Sequence, residues 1–391
     1  MPATGSFEFY NPLRIISGKQ ALENLPIELQ WLGASRPFCL WPADTRKKVM
    51  GEVIRALKGS AITLTIPDKL PADADSGPWE QLALDFSASA CDCLVVIGDQ
   101  AELEIARRLI PILSGQPREP RLPISIDKPL TESLPVVQLF CGPKETIESL
   151  EPPDTDDNRL QEITGFLPSL VVIDSRLLPR IHWLPAVSEA LAILSYCAEL
   201  PTGPFANPVA DSYAHAVIRL IMQHIGRLAD KDNFSIPRLA LANAKILCQC
   251  VQANSASGLS QLLGRELARV SRVPLGILTG IVLPYVLEAA ARRSPEAVAQ
   301  LLLPLGGIEL FAITAHGLRA RKAVNLLHDL LHALFQRSSG RIPATLQQAG
   351  LTDELLVQAV NAACSKDPDP GRPASCSEIV KHAWLGHPIS I

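Results

Sequence analysis

Cys93-Leu94-Val95-Val96-Ile97, followed by Gly98-Asp99-Gln100-Ala101 and a helical period that runs to Leu113, is the stretch that decides the fold. Five apolar residues without polar alternation predict a strand buried on both faces, and the glycine turn delivers the chain into a helix. The same rhythm extends on either side. Toward the N-terminus, residues 7–18 read as a strand entering a glycine turn, 19–32 as a helix, 38–41 as a strand, 45–57 as a helix, 61–66 as a strand and 79–88 as a helix. Short apolar runs alternating with helical periods predict a mostly parallel sheet with helices on both faces, the architecture of nucleotide-binding domains.

From about residue 184 the pattern changes to long amphipathic segments at 184–200, 208–228, 236–253, 258–270, 276–293, 295–303 and 318–337, with two shorter helices after them. The expected organisation is therefore a Rossmann-like α/β domain over residues 1–180 and an all-α domain over 181–391. The boundary falls in the Pro- and Asp-rich stretch 151–158 or just after the strand Leu170-Val171-Val172-Ile173-Asp174.

A chain of 391 residues has ample apolar area for two domains. Its net charge of −4 and dispersed basic residues leave no electrostatic footprint for nucleic acid. No apolar run reaches the roughly 18 residues of a membrane span, and Met1-Pro2-Ala3-Thr4-Gly5 lacks a signal-peptide layout. The expected location is cytoplasmic. Nine cysteines, an odd number, read as reduced thiols, and the pairs Cys91/Cys93 and Cys248/Cys250 have neither zinc-knuckle spacing nor a completing ligand set.

Segments along nearly the whole chain resemble the iron-containing alcohol dehydrogenases, and their maleylacetate reductase branch in particular. They are Pro12-Leu13-Arg14-Ile15-Ile16-Ser17-Gly18, Leu167 to Leu177, Ala206-Asn207-Pro208-Val209-Ala210-Asp211, Gly258 to Arg265, Pro274-Leu275-Gly276, Leu283-Pro284, and Arg372-Pro373 with Ala383-Trp384-Leu385-Gly386. The resemblance implies the dehydroquinate synthase-like fold of that superfamily. It also implies a Gly-rich turn after the strand at 93–97, where backbone N–H groups would hold a dinucleotide pyrophosphate. This chain has Gly98-Asp99-Gln100-Ala101 there, with Glu102 and Glu104 close behind. A carboxylate ~4 Å from a phosphate costs on the order of 4 kcal/mol at an effective dielectric of about 20. The second family loop, rich in Thr and Gly, is replaced by Asp127-Lys128-Pro129 after the strand-like Pro123 to Ile126.

The metal ligands implied by the resemblance are a carboxylate and a histidine one turn apart on a helix, with two further histidines. Glu189 keeps the carboxylate, but Ile193, Gln261 and Leu275 occupy the histidine positions, and Arg265 stands at a further family histidine. Such a set is too poor for iron or zinc. The remaining histidines offer no replacement: His215 and His224 point to different faces of one helix, and His328 and His332 share a face with no acidic partner at a ligand-like offset.

The residues left for chemistry are Glu189, Arg265 and His182, the last as an acid–base candidate beside the inherited interdomain cleft. Glu189 and Arg265 read either as a polar small-molecule site or as a salt bridge filling the space of a metal. The functional expectation is a redox-inactive relative acting as a pathway accessory protein, a non-redox enzyme or a small-molecule binder, with no cofactor. The alternatives are an NAD(P)H-dependent, metal-independent reductase of a small carbonyl compound, with Arg265 polarising the oxygen, and a subunit pairing with an active paralogue. A homodimer or heterodimer is compatible with the apolar composition; nucleic acid and membrane are not expected partners.

Overall fold

A computed structural model describes residues 7–41, 47–67, 79–113, 134–142, 167–178, 183–203, 207–228, 235–366 and 372–389. The chain divides into two compact units, one of Tyr10–Pro143 with Asp156–Arg180, the other of Ile181–Ile391 with Met1–Phe9 and Lys144–Thr155.

The first unit is built on five parallel strands, β1 (Arg14–Gly18), β2 (Pro37–Leu40), β3 (Cys93–Gly98), β4 (Val136–Phe140) and β5 (Leu170–Asp174), in the spatial order β1-β5-β4-β3-β2. The chain lays β1 at one edge, crosses to β2 at the other, and returns strand by strand until β5 pairs with β1. Every residue of β2 to β5 is buried, as a parallel sheet covered on both faces requires. The period of two along β3 sorts its side chains between two cores. Cys93, Val95 and Ile97 join helices α1 (Leu25–Trp31) and α2 (Lys47–Leu57) on one face, while Leu94 and Val96 join α3 (Trp79–Ala88) and α4 (Gln100–Leu113) on the other.

Three sequence expectations are corrected here. The strand predicted over 7–18 is confined to β1: residues 10–13 are irregular, and Phe7 to Phe9 belong to the other unit, where Glu8 accepts a hydrogen bond from Asn207 Nδ2 at 3.0 Å and the Phe9 ring lies 5.4 Å from that of Tyr213. The helix predicted over 19–32 is a 3-10 turn at Ala21–Asn24 followed by α1, since Pro26 in the first turn of α1 starts a new helix. The strand predicted over 61–66 runs beside β2, with Thr65 N–H donating to Pro37 O at 2.9 Å, but it makes only an isolated bridge to Phe38 before Pro67 interrupts it.

At the end of β5, Asp174 is fully buried and heavily bonded. It accepts from the N–H groups of Leu22 at 3.0 Å and Arg176 at 2.8 Å, and from Arg176 Nε at 3.0 Å and Nη2 at 2.8 Å. Arg176 also reaches Glu23 at 2.6 Å, tying the 3-10 turn to the strand end. Burial works to raise the Asp174 carboxyl, but the Arg176 side chain and the backbone donors together hold it below the usual carboxylate range.

The second unit is helical, with no strand among its described residues: α5 (Trp183–Glu199), α6 (Pro208–His224), α7 (Ser235–Gln252), α8 (Leu259–Arg269), α9 (Leu275–Ala291), α10 (Pro295–Gln300), α11 (Leu302–Ile313), α12 (Arg319–Arg337), α13 (Asp353–Lys366) and α14 (Arg372–Leu385). The helix predicted over 295–303 is α10 and the start of α11, and α11 itself breaks at Gly307, whose φ of 85° suits glycine. No helix among the described residues is long and apolar enough to cross a membrane.

The axis of this unit is α9. It is buried without interruption from Gly276 to Glu288, and its side chains feed two cores, Ile277, Leu278, Ile281 and Val282 on one side and Leu283 and Leu287 on another. A helix apolar all round must be enclosed. Glycines let its neighbours come close: a Cβ on Gly276 would lie 1.8 Å from the Ser188 carbonyl oxygen of α5, and one on Gly264 of α8 would lie 2.4 Å from Thr279 Cγ2.

We expect Gly276→Ala to destabilise the chain by roughly 3 kcal/mol or more, because backbone must move to admit the methyl; the helix preference of alanine, about 1 kcal/mol, does not offset that. A denaturant midpoint equal to the natural chain's would contradict this. For Asp174→Asn we expect a loss of about 3 kcal/mol near neutral pH. Since the folded-state pKa of Asp174 is depressed, its contribution is complete above the unfolded value of about 3.9 and disappears as pH falls through the folded one. The Tm gap between natural chain and variant should therefore close on acidification from pH 5 toward pH 2.

Candidate functional site

In the first unit, the turn between β3 and α4 is where a dinucleotide pyrophosphate would meet a helix N-terminus. Asp99 occupies the N-cap position and Glu102 the third helical position, and the Glu102 carboxylate reaches back to accept the Asp99 N–H at 2.9 Å. This is half of a capping box, a carboxylate satisfying a donor that the helix start leaves open. Glu102 is only 6% exposed, and a Cβ added to Gly98 would fall 2.5 Å from its Oε2. The space next to the glycine backbone is filled by the chain's own anion. Gln138 Nε2 holds the Gly98 carbonyl at 3.2 Å from the neighbouring strand. Cys141 lies close by, its thiol pushed well up by burial first and then by the charges of Glu102 and Asp99. Gln100 and Ala101 begin α4 and supply no glycine. These residues do not fit a pyrophosphate. The second loop, at Asp127-Lys128-Pro129, lies outside the described residues.

In the second unit, the positions compared with metal ligands lie on α5, α8 and α9. Glu189 sits on α5 with its side chain 13% exposed, and its carboxylate accepts from Lys245 Nζ of α7, 56 residues along the chain. Arg265 is the cation that the sequence offers for Glu189, and Lys245, the cation found on its carboxylate, is not among the residues expected there. Ile193 is 7% exposed and packs into the helical core. Gln261 donates its amide to the Ala192 carbonyl at 3.1 Å, bonding α8 to α5. Leu275 packs at the start of α9 as an apolar residue. Arg265 is half-buried one turn beyond Gln261. One carboxylate facing an ammonium, one amide engaged with backbone and two aliphatic side chains make no metal site. Among the described residues, no three His, Cys, Asp or Glu side chains converge as ligands.

The N-terminus of α8 is treated in the same way as that of α4. Glu199, 5% exposed, accepts from the Ser260 N–H at 2.9 Å and from the Ser260 hydroxyl, and a Cβ on Gly258 would lie 2.5 Å from its Cδ.

His182 lies outside the described residues. His328 has an acidic partner after all: Glu288 of α9, 2% exposed, contacts His328 Nε2 through Oε1 at 2.9 Å and accepts the Ile389 N–H through Oε2 at 2.7 Å, while His332 is exposed. The partner is 40 residues away, so spacing along α12 could not disclose it. His215 is held below the usual imidazole range by burial, and His224 by burial and then Arg227. Cys93, Cys248 and Cys250 are buried, and burial pushes the Cys250 thiol up to about 12. Of the residues that sequence reasoning passed over, Glu102 had a local signal in the Asp-x-x-Glu pattern at a helix start. Lys245 had only its charge, shared with Arg238 alone over 236–253.

If Glu102 serves the helix start, Glu102→Ala should cost about 1 kcal/mol, and Glu102→Gln, which keeps an acceptor, clearly less. Urea midpoints compared at constant slope provide the measurement, and equal losses for both would sink the capping role.

No family model matches the chain. It is 20% identical over 386 residues to the NAD-dependent methanol dehydrogenase of Bacillus methanolicus, covering 96% of this chain and 99% of that protein. It is 23% identical over 362 residues to maleylacetate reductase 1 of Rhodococcus opacus, covering 88% and 94%. Among solved structures, 1,3-propanediol oxidoreductase superposes with a TM-score of 0.73 at 18% identity, over 97% of this chain and 100% of that one. The chain thus has the fold of solved iron-containing alcohol dehydrogenases, maleylacetate reductases and 1,3-propanediol oxidoreductase, and a remote sequence similarity to the methanol dehydrogenase and the maleylacetate reductase runs along it.

Proposed function

We propose that this chain is a diverged member of the iron-containing alcohol dehydrogenase superfamily that has given up nicotinamide- and metal-dependent redox chemistry, and that it serves as a pathway accessory protein, a non-redox enzyme or a binder of a small polar molecule. The observation that carries this reading is the Glu102 carboxylate at the Gly98 turn, bonded to the N–H of Asp99. A pyrophosphate placed there would have to displace a buried anion from the helix start and then meet Asp99 as well. The ligand positions around Glu189 support the reading independently, since Ile193 and Leu275 cannot donate to a metal and Gln261 is engaged with Ala192. Small-molecule chemistry, on this reading, would use Glu189, Lys245 and Arg265 as fixed charges, with His182 as the acid–base candidate.

A second reading is an NAD(P)H-dependent reductase of a small carbonyl compound that works without metal, with a cation such as Arg265 polarising the oxygen. What favours it is the company the chain keeps: the relatives are a dehydrogenase named for NAD, a reductase and an oxidoreductase, and the similarity to them spans nearly the whole chain. The comparisons weigh toward this second reading, and the geometry of the Gly98 turn toward the first.

Calorimetry separates them. At about 4 kcal/mol per close carboxylate before screening, a micromolar cofactor site would weaken by more than a hundredfold, so the natural chain should give no isotherm with NADH or NADPH at tens of micromolar. A saturable isotherm together with oxidation of the bound cofactor by an aldehyde panel would establish the reductase instead.

A further inference from the structure

No local pattern foretold the Glu189–Lys245 pair beside the degenerate ligand positions. A carboxylate at a position where the resemblance implies a divalent cation cannot be left buried and bare without one; it must be neutralised, exposed or replaced. Here Glu189 remains on α5 with a side chain 13% exposed, and Lys245 of α7, 19% exposed, places its ammonium on that carboxylate. Lys245 is one of two charged residues over 236–253, on a helix where it borders a buried face built from residues such as Leu241, Ala244, Cys248 and Val251. A lysine costs side-chain entropy and desolvation in such a position, and the ion pair with Glu189 is what offsets them.

We propose that Lys245 is the internal cation that stands in for the metal at Glu189, and that it keeps divalent cations out of this position by charge as well as by the missing histidines. The proposal rests on the reading that metal chemistry has been abandoned. It adds a specific agent. On the simpler view the site lost its metal because ligands disappeared, and restoring them would restore binding. With Lys245 in place, restoring them is not enough: a dication would share Glu189 with an ammonium a few ångströms away.

The test uses the full chain and cobalt(II), whose visible absorption reports coordination by nitrogen and oxygen donors independently of any activity. The variants are I193H/Q261H/L275H, the same three with K245M, and the same three with K245R. The methionine variant should bind cobalt with affinity on the order of a hundredfold higher than the variant retaining Lys245, and arginine should behave as lysine does. Equal affinities in the lysine and methionine variants, or no cobalt bound by either, would overturn the proposal. If the histidine variants fail to fold, a cycle of E189Q, K245M and E189Q/K245M on the natural background decides the pairing instead. The loss of Tm in the double variant should be clearly smaller than the sum of the single losses, and simple additivity would count against Lys245 as the compensating cation. Binding of NADH by the natural chain would defeat the redox-inactive reading and leave the cobalt comparison standing, because no nucleotide enters it.

Discussion

The helical unit depends on enclosing α9. From Gly276 to Glu288 this helix offers no side to water, so α5, α8, α12 and α14 all have to find room against it, and glycines at 264, 276 and 280 supply that room where backbones or side chains would otherwise collide. Ridges and grooves on such a helix cannot be adjusted one at a time, because a shift that relieves one neighbour presses on another. The positions compared with metal ligands inherit their relative placement from this arrangement. Glu189 and Ile193 ride on α5, Gln261 and Arg265 on α8, and Leu275 opens α9 itself. On this scaffold the compared positions are occupied by aliphatic packing, an amide bonded to backbone, and an ion pair.

Carboxylates recur at places where a helix or turn begins. Glu102 does this for α4, Glu199 for α8, and Asp174 for the 3-10 turn at Leu22. Each satisfies backbone N–H groups that have no partner within their own element, and each interacts favourably with the positive end of the local dipole. The consequence for function is direct. Glu102 occupies one of the open donors at the β3–α4 turn, the turn where an external anion would meet the start of the helix. Stability and cofactor binding draw on the same donors here.

Buried charge elsewhere is compensated by tertiary partners. Glu288 is nearly inaccessible at 2% exposure, yet His328 and the Ile389 N–H occupy its two oxygens, so one carboxylate joins α9 to α12 and to the C-terminal end of the described chain. Arg176 bonds Asp174 and Glu23 together. In each case the polar atoms of a buried acid are met by partners from separate elements, which is what allows charge inside an apolar core.

The sequence by itself determined the architecture and the chemical poverty of the inherited sites. A short unalternating apolar run ended by a glycine turn, such as Leu94 to Ile97 before Gly98, reads as a strand covered on both faces, and the change to helical periods near residue 184 separates a sheet from a bundle; both are properties of local sequence. The identities of Ile193, Gln261, Leu275 and Gly98-Asp99-Gln100-Ala101 likewise settle which donors and glycines are lacking. Tertiary structure alone decided who compensates whom. Lys245 finds Glu189 across 56 residues and His328 finds Glu288 across 40, and Phe7 to Phe9 leave the predicted first strand for the helical unit. A helix period tells which face of a helix is buried, but not which residue of another helix will face it, because that choice follows from the packing of whole elements around α9 and is written in no short segment of the chain.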